Sequence, residues 1–346
     1  MPRSRQAACA RVAYPIRPAH HATNLEAPVC VRHGMNIAPA ADTTDEASWA
    51  LVAIMAGLCL VAGHGMGFTV SLPHAIAPAL GLLILAAGLV TGKRRNRPRL
   101  AAGAAAFLQM TLFTIIGVVL AYVLAARTGP LWDGALAAAD ARLGLDWAAI
   151  HRALDDAPAL VWLGGIAYNS LVAQMVGCIV LLAATGRLGR LRLAVAAAIA
   201  SGIVTILISG AMPAMGNLFD PAGYHRLWPS IAWLERDLIA GLRDGSARVL
   251  DLGRLMGIVS FPSYHATLPV ILAWGVRDVP WLRVAAPVWA GLTILATPVF
   301  GGHYAVDVIA GLVLAAIAIR MAPALVALPH HLRSLCRRAA PYGESC

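Results

Sequence analysis

The chain has 346 residues, of which 59% are hydrophobic and 13% charged, and a formal net charge of +10. A soluble domain carries about 25% charged residues, so this composition excludes an ordinary soluble enzyme and fits one membrane-embedded domain. The positive charge comes in short clusters between apolar runs, which is how membrane proteins distribute topology signals, so no nucleic-acid partner is expected.

Residues 1–46 are polar, rich in Arg, His, Ala and Pro, and lack helical periodicity; they are expected to be a disordered cytoplasmic tail. Eight apolar runs follow, at 48–68, 72–92, 101–126, 159–184, 193–214, 264–277, 282–300 and 304–322. A span of the bilayer needs ~20 such residues. The expected fold is therefore all-α, a polytopic membrane helix bundle of about eight transmembrane helices. It would occupy 47–325 as one catalytic domain, with a basic cytoplasmic tail at 326–346.

Loops rich in Arg and Lys face the cytoplasm. Lys93, Arg94, Arg95, Arg97 and Arg99 follow the second run, and Arg187, Arg190 and Arg192 the fourth. Arg277 and Arg283 flank the turn after the sixth, and Arg320, Arg333, Arg337 and Arg338 follow the eighth. These sites alternate consistently if both termini are cytoplasmic. Segments 127–158 and 215–263 then face outward, and each is long enough for amphipathic helices on the membrane surface, with Trp147, Trp228 and Trp233 at headgroup depth. The expected location is a bacterial cytoplasmic membrane, crossed many times, with any site in the outward loops facing the periplasm.

Two segments carry chemistry: Phe261-Pro262-Ser263-Tyr264-His265-Ala266 and Gly301-Gly302-His303-Tyr304-Ala305-Val306-Asp307. Each lies where an outward segment enters an apolar run. One descending and one ascending helix separate them, so His265 and His303 return to the same face. His303 and Asp307, four residues apart, share a helical face. A neutral imidazole can attack phosphorus and form a phosphohistidine. A carboxylate on its other ring nitrogen fixes the tautomer and stabilises the imidazolium that develops. A second imidazole can protonate the departing oxygen and then activate an incoming hydroxyl.

Ser263 and backbone N–H groups near Gly301 and Gly302 are candidates to hold phosphate oxygens, and Ser263 also suits a helix cap. Two His and one Asp are a metal set as well. No further ligand cluster accompanies them, so neither metal nor cofactor is expected. From Ser263 to Arg277 is 15 residues, or ~22 Å of helix, which is short for a span and sets His265 somewhat below the outer surface.

The two histidine segments resemble the second and third signature motifs of the type 2 phosphatidic acid phosphatase superfamily. The likeness is greater to the branch that includes inositol phosphorylceramide synthases. It extends to Asp140–Trp147, to Tyr168-Asn169-Ser170 with Gln174, and to Leu242-Arg243-Asp244-Gly245 leading to Gly257-Ile258-Val259-Ser260, and so covers roughly residues 100–320. The resemblance implies a metal-independent phosphatase or phosphotransferase in which His303 is the nucleophile, Asp307 its orienting partner and His265 the general acid.

Two features depart from the family pattern. Many members carry Arg at the position of Thr297, and many have a first motif with Lys and Arg-Pro that has no counterpart here. The phosphate clamp must then come from elsewhere. Outward candidates are Arg226, Arg236, Arg243, Arg248 and Arg254, with His225; Arg243 and Arg254 are preferred because they lie in the segment leading to His265.

The function these readings favour is a membrane lipid phosphatase or phosphotransferase acting on a phospholipid or polyprenyl phosphate at the outer leaflet. Transfer of inositol phosphate or another headgroup by the same mechanism is the alternative. A lipid transporter or a non-catalytic membrane protein is the other class; transporters often show internal repeats, and this sequence shows none.

Overall fold

A computed structural model describes residues 46–127 and 129–339, with side chains as far as Pro329. The tail expected over 1–46 lies outside the described residues except for Glu46. The described helices are α1 (Glu46–Gly63), α2 (Leu72–Arg94), α3 (Pro98–Ala125), α4 (Asp133–Arg142), α5 (Trp147–Asp155), α6 (Pro158–Asn169), α7 (Leu171–Ala184), α8 (Leu188–Ala211), α9 (Ile231–Asp244), α10 (Tyr264–Val276), α11 (Leu282–Ala296) and α12 (Ala305–Ala339). Two-residue strands β1 (Thr69–Val70) and β2 (Val249–Leu250) pair in parallel.

Among the described residues, six helices are long and apolar enough to cross a membrane, and the bent pair α6–α7 makes a seventh span if counted as one. The chain is thus an all-α, multi-pass membrane protein. The remaining apolar run of the sequence is α10, at 13 residues too short to count as a span on length alone. α12 continues to Ala339, beyond the domain limit at 325 that the sequence suggests.

α8 is the central post. Ala196, Ala197, Ala198, Ser201 and Gly202 are all buried on it, and such small side chains let helices approach closely where lipid offers no hydrophobic drive to associate. A Cβ on Gly202 would come within 2.1 Å of the Phe113 ring of α3, so that glycine is the seat of the ring. α2 packs outside α3; there a Cβ on Gly92 would lie 2.6 Å from the Ala101 nitrogen.

α10 and α12 flank α8 and are fastened to each other. Gly311 meets the Ser263 carbonyl so closely that a Cβ would lie 2.4 Å from it. The Thr267 hydroxyl is 2.9 Å from the carbonyls of both Ser263 and Gly311. The two helices bearing the histidine motifs therefore start in fixed register.

The break between α6 and α7 bends the chain by 50°. At the bend the Ser170 hydroxyl donates to the Ala167 carbonyl (2.7 Å) and accepts from Gln174 Nε2 (3.0 Å) and Trp289 Nε1 (2.9 Å). Gln174 also donates to Thr293 Oγ1 of α11 (3.0 Å). Polar groups freed at a break in a membrane helix need partners within the protein, and Ser170 with Gln174 supplies them.

The basic turns gather at one end of the bundle. Arg99 donates to the Ala184 carbonyl (3.1 Å), Arg187 to the Asp278 carbonyl (2.5 Å), and Arg190 pairs with the Asp278 carboxylate (2.8 Å). The strand pair, α4, α5 and α9 gather at the other end, where His74 pairs with Asp251 at 2.8 Å.

Replacing Gly202 by Val should cost about 1–3 kcal/mol, because an overpacked core displaces its neighbours. The measurement is thermal unfolding of the detergent-solubilised protein by circular dichroism; an unchanged midpoint would mean that α3 and α8 do not meet at this point.

Candidate active site

α11 ends in a π turn, Thr297–Gly301, and Gly302 follows with φ of +74°, a left-handed conformation that glycine adopts without steric cost. The N–H groups of Gly302 and His303 both turn back to the Pro298 carbonyl. This reversal places His303 just before the first turn of α12. Its Nδ1 is 3.3 Å from Oδ2 of Asp307, which has no solvent exposure. The same oxygen accepts from the Tyr304 N–H (3.0 Å) and the Ser260 hydroxyl (3.2 Å).

His265 lies in the first turn of α10. Its ring centroid is 6.4 Å from that of His303, and the ring is stacked on Tyr168 of α6 at 4.5 Å and 15°. The structure thus brings His265, His303 and Asp307 together, as their spacing predicts.

Three further carboxylates hold the surrounding backbone. Asp140 of α4 accepts from the N–H groups of Ala305 (2.8 Å) and Val306 (3.0 Å), the start of α12, and from Trp147 Nε1 (2.8 Å). Asp133, also on α4, accepts from the N–H groups of Met215 (3.0 Å) and Gly216 (2.9 Å) and from the Tyr304 hydroxyl (3.2 Å). Asp155 accepts from the N–H groups of His225 (2.9 Å), Arg226 (2.6 Å) and Leu227 (2.8 Å), and these bonds, His225 first, hold its carboxyl below the usual aspartate range.

The segment after α8 is pinned to the site from the other side. The Asn217 N–H donates to the Gly302 carbonyl at 2.7 Å. A Cβ on Gly165 would meet the Trp228 ring at 2.1 Å, and one on Gly164 the Phe300 ring at 2.6 Å, so two α6 glycines admit two aromatic rings. Trp228 packs against α6 and Phe300, and Trp233 lies beneath the Arg236 guanidinium at 4.2 Å.

The histidines face a small chamber of about 30 Å³ whose walls include Tyr168, Glu235, Ser260, His265, Gly301 and His303. Tyr168, Glu235 and His265 also line a larger cleft of about 450 Å³, whose other walls are mostly apolar, among them Met110, Phe113, Val172, Met175 and Leu268. No Lys or Arg among the described residues lines either space. Glu235 of α9 is only 4% exposed, and its Oε1 has no hydrogen-bond partner. Burial pushes its carboxyl up to about 8, because a low-dielectric surround disfavours the charged form.

The expected phosphate-binding residues are distributed differently. Gly301 and Gly302 line the chamber, but the Gly302 N–H is spent on Pro298. What these glycines contribute is room: a Cβ on Gly301 would lie 2.8 Å from the His303 ring, and one on Gly302 would lie 2.5 Å from Ala232. Ser263 is fully buried and caps α10, its hydroxyl accepting from the Ala266 N–H at 3.3 Å; it is not part of the chamber wall. Arg243 lies two turns beyond Glu235, its guanidinium donating to the carbonyls of Arg127 and Gly129. Arg254 is exposed on the loop before α10. Neither arginine lines the chamber. Among the described residues, no three His, Cys, Asp or Glu side chains form a metal-binding group.

Sequence reasoning missed Tyr168, Glu235, Ser260 and the bracing carboxylates. Asp140 and Tyr168 fall in stretches singled out for family likeness, so a signal existed without a role. Glu235 is flanked by Arg236 and Asp237 in sequence, but its helical neighbours Ala232, Ile239 and Leu242 are apolar, and that lone carboxyl on an apolar stripe was the signal.

Asp140→Ala should cost about 1–2 kcal/mol, the loss typical of a helix N-terminal acceptor, with Asp140→Asn recovering part; chemical unfolding in detergent measures both. Glu235 gives a pH signature. Its folded carboxyl titrates above its unfolded one, so the native state binds the extra proton between about 4.3 and about 8. Wild-type stability should fall relative to Glu235→Gln across that window and run parallel to it above. Parallel unfolding midpoints from pH 5 to 8 would show that the carboxyl is not protonated in the fold.

The family model described as PAP2 superfamily matches residues 134–321. No curated protein and no solved structure gives a significant match to the chain. The matched stretch is more than half the chain and contains Asp140 with nearly all of α4, the bent α6–α7 pair, and both histidine motifs with Asp307. On that match, the chain belongs to the PAP2 superfamily.

Proposed function

We propose that this protein is a membrane lipid phosphatase or phosphotransferase that works through a phosphohistidine on His303. The observation that carries the reading is the junction of two spaces: a chamber walled by both histidines opens beside an apolar cleft of about 450 Å³ between spanning helices, and His265 lines both. The cleft suits acyl or prenyl chains, and the chamber suits the phosphorus.

With Nδ1–H of His303 directed at Asp307, the lone pair sits on Nε2. Nε2 attacks phosphorus, the bond from phosphorus to the leaving oxygen breaks, and that oxygen takes a proton from His265. The imidazolium character that develops on His303 is stabilised by the Asp307 carboxylate. In the second step His265 accepts a proton from water or an alcohol, whose oxygen attacks phosphorus, and the P–N bond breaks. Hydrolysis and headgroup transfer differ only in that acceptor. Tyr168 keeps the His265 ring in plane for both steps, and no metal takes part.

The basic turns lie at the opposite end of the bundle from the site. If they face the cytoplasm, the chamber faces the periplasm and the outer leaflet of a bacterial cytoplasmic membrane. The substrate is a phospholipid or polyprenyl phosphate. Transfer to inositol or another polyol, as in the branch the motifs resemble, is the second reading.

The test is release of phosphate or headgroup by purified protein in detergent from phosphatidic acid, polyprenyl diphosphate and phosphatidylinositol. His303→Asn and His265→Asn should each lower turnover by at least about 10³-fold, and Asp307→Asn by less. EDTA should leave the rate unchanged. A radiolabel from the substrate phosphate should be trapped on the protein in base-stable, acid-labile form, and not on His303→Asn. Undiminished turnover by His303→Asn would overturn the proposal.

A further inference from the structure

The chamber presents a physical problem. A phosphate bound there would carry negative charge into a buried space that no Lys or Arg side chain among the described residues lines. What lines it instead is a buried carboxyl. Glu235 reaches the wall shared by the chamber and the cleft, and its Oε1 has no partner. An ionised carboxylate here would repel the ligand and would have no donor of its own, a costly arrangement in low dielectric. A protonated carboxyl is a hydrogen-bond donor and is cheap to bury. Buried polar atoms without partners are rare in folded proteins and call for an explanation; a ligand that arrives with acceptor oxygens is one.

We propose that Glu235, in its protonated form, is the phosphate-binding acid of this site, donating its O–H to a non-bridging oxygen of the substrate phosphate in place of a cationic clamp. This rests on the phosphohistidine reading and adds a contact to it. No covalent change occurs at Glu235: the proton stays on the carboxyl, and the hydrogen bond to oxygen strengthens as negative charge gathers there in the transition state.

The groups facing Glu235 are Tyr122 of α3, Tyr168 of α6, His265 of α10 and His303 before α12. None of these is a carboxylate, an Arg or a Lys, so until His265 takes up the proton it delivers to the leaving oxygen, the carboxyl has neither an anion to share its proton with nor a fixed cation to ionise it. Burial accordingly keeps it protonated up to about pH 8. Phosphate binding should weaken above that pH as the donor becomes an acceptor.

The probe is inorganic phosphate, added to the full chain in detergent. Infrared difference spectra should show a protonated-carboxyl band at pH 7 that is absent from Glu235→Gln and shifts when phosphate binds. The amide of Glu235→Gln can still donate, so this variant should bind phosphate within about threefold of wild type, and its affinity should lack the wild-type fall above pH 8. Glu235→Ala should bind about 10- to 100-fold more weakly, as expected for loss of a hydrogen bond to a charged group. Phosphate that shifts the imidazole resonances of His303 but leaves the Glu235 band unmoved would overturn this inference alone. So would a band missing at pH 7, or a Glu235→Gln variant as weak as Glu235→Ala. Phosphate that perturbs neither group would instead overturn the phosphohistidine reading on which the inference rests.

Discussion

A carboxylate sealed from water at Asp307 is the constraint around which the rest of the site is arranged. Removing such a group from solvent is expensive unless donors surround it. Here the donors are the His303 ring nitrogen, the Tyr304 N–H and the Ser260 hydroxyl, all directed at one oxygen. Each comes from a different local structure: a left-handed reversal, the first residues before a helix, and the loop that leads into the other histidine motif. Ser263 closes the circle, because its N–H donates to the carbonyl of Asp307 itself. The two motifs are therefore parts of one hydrogen-bonded unit, and the position of His265 relative to His303 follows from it.

Around this unit the protein uses carboxylates as backbone clips. Asp140 fastens the start of α12, Asp133 the turn at 215–216, and Asp155 the turn at 225–227. None of the three is paired with a cation in these contacts. Each satisfies N–H groups that an irregular segment beside a membrane would otherwise leave without partners. This is why a stretch with the look of a surface helix, Asp140 to Trp147, contributes to the interior of the site.

Much of this was legible from the residues. Apolar runs of the right length revealed the bundle, and the four-residue step from His303 to Asp307 with the return of His265 to the same face revealed the core of the site. The sixth run was less secure, because α10 is shorter than a span and its place depends on Thr267 and Gly311 locking it to α12. The residues that line the chamber were less legible. Ser263 satisfied two readings equally, a cap and an anion ligand, and the structure uses it as the cap. Arg243 and Arg254 were favoured for charge and nearness in sequence, yet nearness along an irregular loop carries no direction. Glu235 was obscured by Arg236 and Asp237 beside it in sequence, although its own helical stripe, Ala232, Ile239 and Leu242, is apolar and turns inward.

The elbow at Ser170 has a consequence for how large a molecule the bundle can admit. α6 leans on α11 while α7 turns toward α3 and α10, and Tyr168, Leu171, Val172 and Met175 line the cleft on either side of the elbow. One flank of that doorway is consequently written in backbone geometry, held by Ser170, Gln174, Trp289 and Thr293, while Leu255, Met256, Gly257 and Val259 of the loop before α10 also line the cleft. On the proposed lipid-handling function, preference for hydrocarbon length and branching would reside in the side chains along that jamb, apart from the histidines that act on the headgroup.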